Sequence, residues 1–260
     1  MPVFPQLLTG VLASNPIRKK LVYRTLENTM LGGARVALPD DDAASVVWEI
    51  DFRGLTRTEA AAIENLFQQM NGQVRTFTML DPIGNLLTWS EDLTQSTWVK
   101  DPLIQVTGGI ADPYGGTRGV QITNASQASG GVTQTASVPG SYRYCFSVWA
   151  RAAVTQSVVL AMGNASTTSR LDPTWKRIYV SGSPGLATMS VPFQVILPPG
   201  ATAQLFGLQV EPQLGPSAYK VTTAHGGVYG QARFASDEMV TVVQGTDAVD
   251  AMVQIYSREH

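Results

Sequence analysis

The segment FTMLDPIGNLLTWSEDLTQSTWVKDPLI, residues 77–104, decides how this chain is divided. The apolar run Phe77–Leu80 stops at Asp81–Asn85, where the Asp, Pro, Gly and Asn residues favour a turn. A polar segment with two tryptophans, Trp89 and Trp98, follows directly. The turn is therefore either a loop within one domain or the junction between two domains.

The residues before this turn predict a strand, a helix and a second strand. In the segment Ser45–Phe52, large apolar residues alternate with acidic ones, which is the period of a half-buried strand, and Trp48 is predicted to lie in the core. The second strand is predicted at Val74–Leu80. Only one helix is predicted with this clarity, at about residues 57–70.

The helix prediction rests on its two ends and on its apolar stripe. Thr56 and Glu59 have the spacing of a capping box, and Asn71 with Gly72 ends the helix. Positions i, i+3, i+4 and i+7 are apolar and are predicted to face the core: Ile63, Leu66, Phe67 and Met70.

After Leu86 the sequence changes to short apolar runs separated by Gly, Ser, Thr, Asn and Pro. This texture, without a helical stretch, favours a β-sandwich or jelly roll. The predicted strands are Gly119–Thr123, Tyr142–Trp149, Ser157–Met162, Lys176–Val180, Phe193–Leu197 and Gln204–Val210. Two further strands are predicted near the end of the sequence, at Met239–Val243 and Ala251–Tyr256.

The first and last segments are each too small to form a domain alone. Two strands and a helix before Asn85 bury too little apolar surface, and the strands after Thr223 have the same deficit. We therefore predict a mainly β chain with a discontinuous β-rich assembly domain at residues 1–85 plus 224–260. A jelly-roll insert at residues 86–223 interrupts it, because exposed turns tolerate insertions best.

Composition narrows the class of partner. The 260 residues are 44% apolar and 15% charged and include 24 glycines and 15 prolines, which suits many short strands. A net charge of -2 gives no footprint for nucleic acid or an anionic membrane, so neither is predicted as a partner. The single Cys145 cannot form an intrachain disulfide, as expected in a reducing compartment.

Targeting signals are not expected. The first residues lack a basic region before their apolar run, so we predict no signal peptide. No apolar run approaches the ~20 residues that span a bilayer. The glycosylation-like tripeptides Asn124-Ala125-Ser126 and Asn164-Ala165-Ser166 are interpreted as chance matches.

The outer segments resemble the distal tail or minor tail proteins of long-tailed bacteriophages. The similar residues are MPVFP at the start, WEIDFRGLTRTEAAAIENLFQQMNGQVRTFTMLDPIGN at 48–85, and VYGQARFASDEMVTV with IYSRE near the end. The region from Val11 to Asp42 is only loosely similar.

The insert resembles the jelly-roll modules of phage tail and fibre proteins, which are similar to carbohydrate-binding modules. Its opening motif is NLLTWSEDLTQSTWVK (85–100), and its closing motif is FGLQVEPQLGPSAYKVTT (206–223). In the closing motif a strand ends in Gln-x-Glu, and an extended segment leads to Pro-Ser-x-Tyr.

Together these resemblances imply a structural virion protein at the phage tail tip, made in the host cytoplasm. It would form a homo-oligomeric ring, with six subunits by resemblance alone, between the tail tube protein and the baseplate hub. The jelly roll would face outward and bind host surface polysaccharide. The alternative is a tail-fibre or adhesin-type carbohydrate-binding protein, or else a depolymerase.

Catalytic and metal signatures are sparse. No nucleophile motif, phosphate loop or paired cysteines occur, and the histidines are only His225, interpreted as a loop residue, and His260. We therefore expect no enzyme activity, no cofactor and no metal. The run Asp40-Asp41-Asp42 lacks the alternating spacing of a calcium loop and is interpreted as solvated.

A depolymerase would still need two carboxylates in one groove. In the insert the available residues are Glu91, Asp92, Asp101, Asp112, Asp172 and Glu211. Asp101 and Asp172 are interpreted as solvated loop residues, and Glu211 as a structural hydrogen-bonding group. The sequence places no two of these carboxylates together.

A sugar site on a jelly roll needs an aromatic ring against which a sugar packs, with polar groups at its rim. Trp149 fits best, because it alternates with Tyr142, Tyr144 and Phe146 and lies near Arg151. Its alternative role is core packing between the two sheets. Trp98 and Trp175 are further candidates, and each has covering the end of the sandwich as the alternative.

Overall fold

The protein divides into two compact units. The structure is a computed structural model that describes residues 1–14 and 16–258, except for the side chains of residues 41 and 42. Unit 1 comprises residues 1–8, 12–79 and the chain from Tyr229 onward, and unit 2 comprises residues 9–11 and 80–228. Sixteen strands and one α-helix lie within the described residues, so the mainly β fold class is confirmed.

The elements follow one another along the chain, and the longest connections are residues 81–98 and 212–227. In order they are β1 (Ile17–Thr29), β2 (Arg35–Leu55), α1 (Arg57–Met70), β3 (Phe77–Leu80), β4 (Val99–Lys100), β5 (Ile104–Ile110), β6 (Gly119–Asn124), β7 (Gly130–Ala136), β8 (Tyr144–Arg151), β9 (Gln156–Met162), β10 (Ala165–Leu171), β11 (Lys176–Gly182), β12 (Val191–Leu197), β13 (Thr202–Glu211), β14 (Val228–Phe234), β15 (Val240–Gly245) and β16 (Ala248–Arg258).

Unit 1 is one sheet packed against the helix. Its strand order is β1-β2-β16-β14-β3, and β15 also pairs with β16. The alternation in β2 buries Trp48, Ile50 and Phe52, as predicted. Phe4 packs on Phe52 with ring centroids 6.2 Å apart, which closes the core from the start of the chain.

Helix α1 has the predicted bounds and the predicted cap. The Thr56 hydroxyl accepts the Glu59 N–H at 3.2 Å, and the Glu59 carboxylate accepts the Thr56 N–H at 2.9 Å. Two N–H groups that lack helical partners are thereby satisfied. Asn71 ends the helix in the left-handed conformation, with φ 53°.

Two details of this region differ from the prediction. Phe67 is half-buried and meets Phe234 at its edge, at 5.0 Å, whereas Ile63, Leu66 and Met70 are buried as predicted. The second strand begins at Phe77 and not at Val74, because the turn after the helix extends to Val74, which is 60% exposed.

The sequence pattern did not reveal the long hairpin of β1 and the first half of β2. None of the thirteen β1 residues is buried; eleven are exposed and two are half-buried, so no alternation marks the strand. Arg24 pairs with Asp40 across the hairpin, with Nε to Oδ2 at 2.6 Å. The side chains of Asp41 and Asp42, the other members of the acidic run, are not among those that the structure describes.

Unit 2 is the predicted sandwich of two five-stranded antiparallel sheets. We name β11-β8-β13-β6-β5 the front sheet and β10-β9-β12-β7-β4 the back sheet. Tyr144 and Phe146 of the front sheet meet Phe193 of the back sheet at 6.1 and 5.7 Å. All six strands predicted for this unit are present. Strands β4, β5, β7 and β10 of this unit had not been predicted, nor had β14, which begins at its last residue, Val228.

A bulge in β13 controls which residues face outward. The register against β8 shifts between Phe206 and Gln209, so one extra residue lies on β13. Gly207 adopts φ 66° there, and a Cβ at this position would lie 3.0 Å from the Tyr219 ring. Because of the bulge, Phe206 and Gln209 both point away from the sandwich core.

Asn85 holds this bulge to the start of the unit. Its side-chain amide donates to the Leu208 and Lys220 carbonyls at 2.9 and 3.3 Å. Its side-chain carbonyl accepts the Val210 N–H at 3.0 Å and the Leu87 N–H at 3.2 Å. Asn85 is 1% exposed, so these four bonds satisfy a buried amide completely.

The two ends of unit 2 meet beside Asn85. Gly227 donates to the Asn85 backbone carbonyl at 2.7 Å, and Asp81 donates to the Gly227 carbonyl at 2.7 Å. The predicted boundaries at Asn85 and Thr223 therefore lie a few residues inside this unit. Apart from residues 9–11, the chain enters and leaves unit 2 at adjacent points, which is the geometry that an insertion requires.

Replacing Asn85 should destabilise unit 2 strongly. Asn85→Ala removes four hydrogen bonds and leaves buried backbone groups of β13 without partners, so we expect a loss of about 2–4 kcal/mol in the free energy of unfolding. Urea denaturation followed by tryptophan fluorescence measures this loss. Asn164→Ala is the control, because Asn164 is exposed and its side chain makes one bond, to the Gly185 carbonyl at 2.9 Å. Equal losses in the two variants would contradict the role of Asn85.

Candidate functional site

The opening and closing motifs are joined on the outer face of the front sheet. The Tyr219 hydroxyl lies 2.7 Å from the Ser90 hydroxyl, and the Tyr219 ring packs on Phe206 at 5.2 Å. Gln209 accepts the Lys220 N–H at 2.7 Å. The strand of the closing motif thus holds the later residues of the same motif over one half of the outer face, and the other half stays open.

Glu211 completes this arrangement as the predicted structural group. Its carboxylate accepts the Ser217 N–H at 3.0 Å and pairs with the Lys220 ammonium at 3.0 Å. Burial alone would raise the pKa of Glu211, but the donors from Ser217 and the charge of Lys220 outweigh burial and lower it. The carboxylate is 2% exposed and stays ionised.

Trp149 lies on the open half of the outer face. Its neighbours across the strands are Arg177 of β11 and Phe206 of β13. The Tyr114 ring meets it edge-on at 6.1 Å. The alternative role as a residue between the sheets is excluded, since Tyr144 and Phe146 occupy the inner side of β8.

Arg151 and Trp175 form a second aromatic contact on the same face. The Arg151 guanidinium lies 4.7 Å from the centre of the Trp175 ring, within the range of a cation–π interaction. Trp175 directly precedes β11, and along this edge strand it alternates with Arg177 and with Tyr179, which is 48% exposed. Three of the four predicted site residues therefore lie together.

A groove with both polar and apolar lining continues this face toward the end of the sheet. It has a volume of about 240 Å³, and its polar side chains include Gln121, Gln156 and Gln204. Arg151 donates to the Gln204 side chain at 2.7 Å, which links the groove to the tryptophans. We name the front face the set Trp149, Arg151, Trp175, Arg177, Gln121 and Gln204.

Trp98 does not belong to the front face. Its side chain is 1% exposed, and its indole N–H donates to the Trp89 carbonyl at 3.0 Å. This hydrogen bond links the two tryptophans of the opening motif to each other. The structure removes Trp98 from the candidate glycan contacts, because a buried ring with a satisfied N–H has no surface for a ligand.

The carboxylates of the insert are tied to structural partners. Asp112 accepts backbone N–H groups from Tyr114 and Gly116 at 2.8 and 3.1 Å, and it shares Arg118 with Glu91. Burial raises the pKa of Asp112, but these donors outweigh burial and lower it. The pKa values of Asp92 and Asp172 are also lowered, by hydrogen bonds from Gln95 and from Lys176. A general acid requires a shift in the opposite direction.

Other reactive groups have no site around them. Burial raises the pKa of the Cys145 thiol to about 12, so it is not a nucleophile. His225 is exposed in a loop, as interpreted, and His260 lies outside the described residues. Among the residues described, no three His, Cys, Asp or Glu side chains form a group that could hold a metal ion. No helix in the described chain has the length and apolarity to span a membrane.

Comparisons with known proteins find solved structures that are similar at low identity. No family model matches the chain, and no curated protein matches it. The CBM22-1 xylan-binding domain of Paenibacillus barcinonensis Xyn10C is 15% identical, with a TM-score of 0.41, over 52% of this chain and 96% of that one. The CBM22-1 and GH10 modules of Clostridium thermocellum xylanase 10B, solved with xylohexaose, are 13% identical, with a TM-score of 0.39. That match covers 50% of this chain but only 28% of the xylanase chain.

A phage protein is also among the similar structures. The enzymatically active domain of tailspike protein 4 from bacteriophage CBA120 is 12% identical, with a TM-score of 0.39, over 51% of this chain and 22% of that one. These similarities are remote, and the ligands and activities belong to those proteins.

Some residues of this face had not been predicted from the sequence. Tyr114 lies in the connection between β5 and β6, where its ring meets Trp149, whereas strand pairing brings Gln204 and Gln121 into line with Arg151. Arg177 alternates with Tyr179 in β11, and that alternation was the available signal. The tryptophans were found because an aromatic residue on the polar side of a strand is conspicuous in the sequence itself.

Glu211 gives a pH-dependent prediction. Its native pKa is lowered, so its contribution to stability is complete above the unfolded value of about 4.3 and is lost as the pH falls through the native value. We expect Glu211→Gln to lower the free energy of unfolding by about 1–3 kcal/mol at pH 7 and by much less at pH 3. Urea denaturation at both pH values measures this difference. A constant difference between pH 7 and pH 3 would contradict the assignment.

Proposed function

We propose that this protein binds carbohydrate through the front face. The observation that carries the proposal is that Trp149 and Trp175 share one side of a sheet with two arginines and with a groove whose lining includes three glutamines. No sugar contact enters the argument from the similar structures, whose likeness is too remote. The proposal rests on the chemistry of the face itself.

This chemistry matches what a sugar offers. The C–H side of a pyranose ring packs on an indole, while its hydroxyls need donors and acceptors at the rim. Glutamine side chains supply both donors and acceptors, and guanidinium groups supply donors. An open face along a sheet also suits a polymer, because the chain can continue past both ends of the contact.

Within this function, attachment to a cell-surface polysaccharide is the role that we favour. It agrees with the adhesin alternative and with the resemblance of the insert to phage tail and fibre modules. A depolymerase is less well supported, because the lowered pKa values of the insert's carboxylates leave no general acid among those that shift. Location in a virion, with tail tube and baseplate hub partners, stays a prediction from resemblance.

Replacing Trp175 should abolish most of the binding. Trp175→Ala removes a ring from the face, and we expect an affinity loss of about ten-fold or more, since an aromatic contact contributes of the order of 1–3 kcal/mol. Trp175→Phe is the matched control, because it keeps an aromatic surface and should keep most of the affinity. Affinity electrophoresis in gels containing soluble acidic and neutral polysaccharides measures both variants. Retention of full affinity by Trp175→Ala and Trp149→Ala would overturn the proposal.

A second function, assembly with further copies of this chain, is favoured by unit 1. The hairpin of β1 and β2 has apolar side chains that are exposed to solvent in a single copy of the chain. Among them are Leu26 and Leu38, which are 49% and 54% exposed. These two residues are directly opposite each other in the hairpin. Clusters of exposed apolar side chains mark surfaces at which another protein can bind.

The strand edges of unit 1 indicate what would cover them. Within the described residues, β1 pairs only with β2, and β15 pairs only with β16, so each has an open edge. Exposed apolar residues lie on both strands, including Val242 of β15. Since the two edges are different surfaces of one unit, an edge of one copy would pair with the other edge of the next copy. Heterologous contacts of this kind close into a ring when the rotation permits.

Leu26→Lys tests this assembly. We expect the wild-type protein to have a mass that is a multiple of 27.9 kDa and the variant to shift toward the monomer, because a charge on the covered face disfavours burial. Thr25→Lys, on the neighbouring position of the same strand, is the control for added charge. Light scattering after size exclusion gives the masses. A wild-type protein that is monomeric at every concentration tested would contradict assembly through unit 1.

A further inference from the structure

The two arginines of the front face have no carboxylate partner. Within the described residues, no Asp or Glu oxygen lies within 4.0 Å of Arg151 or Arg177. The nearby carboxylates are already engaged by other cations. Glu91 and Asp112 share Arg118, Asp172 pairs with Lys176, and Glu211 pairs with Lys220.

The donors of these arginines are also incompletely used. Arg177 donates to the Ser147 hydroxyl at 3.0 Å and to the Ser217 carbonyl, but its buried Nε has no acceptor in the described chain. Arg151 uses its Nε on Gln204. No acceptor among the described residues engages the two terminal nitrogens of Arg151, which form the flat fork that binds a carboxylate bidentately.

Two guanidinium groups that lack a carboxylate partner and lie beside tryptophans favour a ligand with negative charge. The chain as a whole carries -2, so these cations do not reflect a basic protein. A guanidinium held in place by a neighbouring ring and by a glutamine is ordered before the ligand arrives, which lowers the entropy cost of binding. The carboxylate of a sugar acid matches that fork in shape.

We propose that the front face selects acidic polysaccharides, in which sugar rings carrying carboxylates pack on the tryptophans while the carboxylates bind Arg151 and Arg177. This inference rests on the proposed carbohydrate-binding function and adds the class of sugar. Gln121 and Gln204 then bind the hydroxyls of the same chain. The contact with the charged group is the source of selectivity.

A matched pair of polysaccharides separates charge from sugar shape. Polygalacturonate and its fully methyl-esterified form share one backbone and differ in the free carboxylate. We expect the wild-type protein to bind polygalacturonate at least about ten-fold more tightly than the ester. The affinity should fall as NaCl is raised from low to high concentration, because salt screens partly exposed charges. Dextran sulfate and dextran form a second pair, in which sulfate replaces carboxylate.

Variants locate the contact on this face. Arg151→Gln should lose about ten-fold or more for polygalacturonate and little for the ester, and Arg151→Lys should recover only part of the loss because it keeps the charge without the fork. Arg177→Gln should behave like Arg151→Gln, with thermal denaturation as the check on folding. Arg170→Gln, an exposed arginine of β10 on the back sheet, is the control for the loss of one charge and should retain wild-type affinity.

The outcomes distinguish selection for acidic sugars from carbohydrate binding in general. Equal affinity for polygalacturonate and its ester, with loss of both in Trp175→Ala, would leave carbohydrate binding in place and overturn selection for acidic sugars. Equal losses in Arg151→Gln and Arg170→Gln would show unspecific attraction and overturn it as well. Preference for dextran sulfate over polygalacturonate would overturn the assignment to carboxylates. Binding to none of the four polysaccharides would overturn both proposals.

Discussion

The fold of unit 2 depends on the bulge in β13 and on the buried amide that holds it. The extra residue at Gly207 reverses the alternation of the strand, so that Gln209 and Glu211 reach the outer side. Asn85 fits its carboxamide against the same strand, bonding Leu208 and Val210. A buried amide of this kind is stable only when all of its donors and acceptors are used. The bulge and Asn85 therefore require each other.

This constraint also determines where a ligand has room. Gln209 and Glu211 hold residues 217–220 over one part of the outer face, where Tyr219 covers Phe206. Beyond that cover, Trp149 and Trp175 remain half-buried with their polar neighbours. The same strand thus closes one half of the face and leaves the other half open for binding. The register of β13 therefore determines both how residues 217–220 are held and where the face stays open.

The sequence allowed the prediction of elements whose pattern is local. Helix α1 could be predicted with its ends, because capping and apolar spacing act within a few residues. The closing motif led to a structural role for Glu211, since its partner Ser217 is close in sequence. The hairpin of β1 could not be predicted, because both faces of the strand are exposed and no alternation distinguishes it.

The site was predictable only in part for a similar reason. Trp149 and Arg151 lie in one strand and could be paired by alternation, whereas Gln204 lies on another strand, more than fifty residues away. Trp98 was misassigned because a tryptophan in a polar segment looks exposed, while its N–H is satisfied by a carbonyl nine residues earlier. Contacts between distant segments depend on the pairing register of the strands, and the sequence of a single segment does not determine that register.

Hydrogen–deuterium exchange with and without polygalacturonate shows where the polysaccharide binds, because it locates the contact without a substitution. If the front face binds the polysaccharide, exchange slows in the segments around Trp149, Trp175 and Gln204 and stays unchanged in β9, β10 and β12 of the back sheet. Slowing that is confined to the back sheet, or no slowing in unit 2 at saturating polysaccharide, would contradict the assignment of the front face.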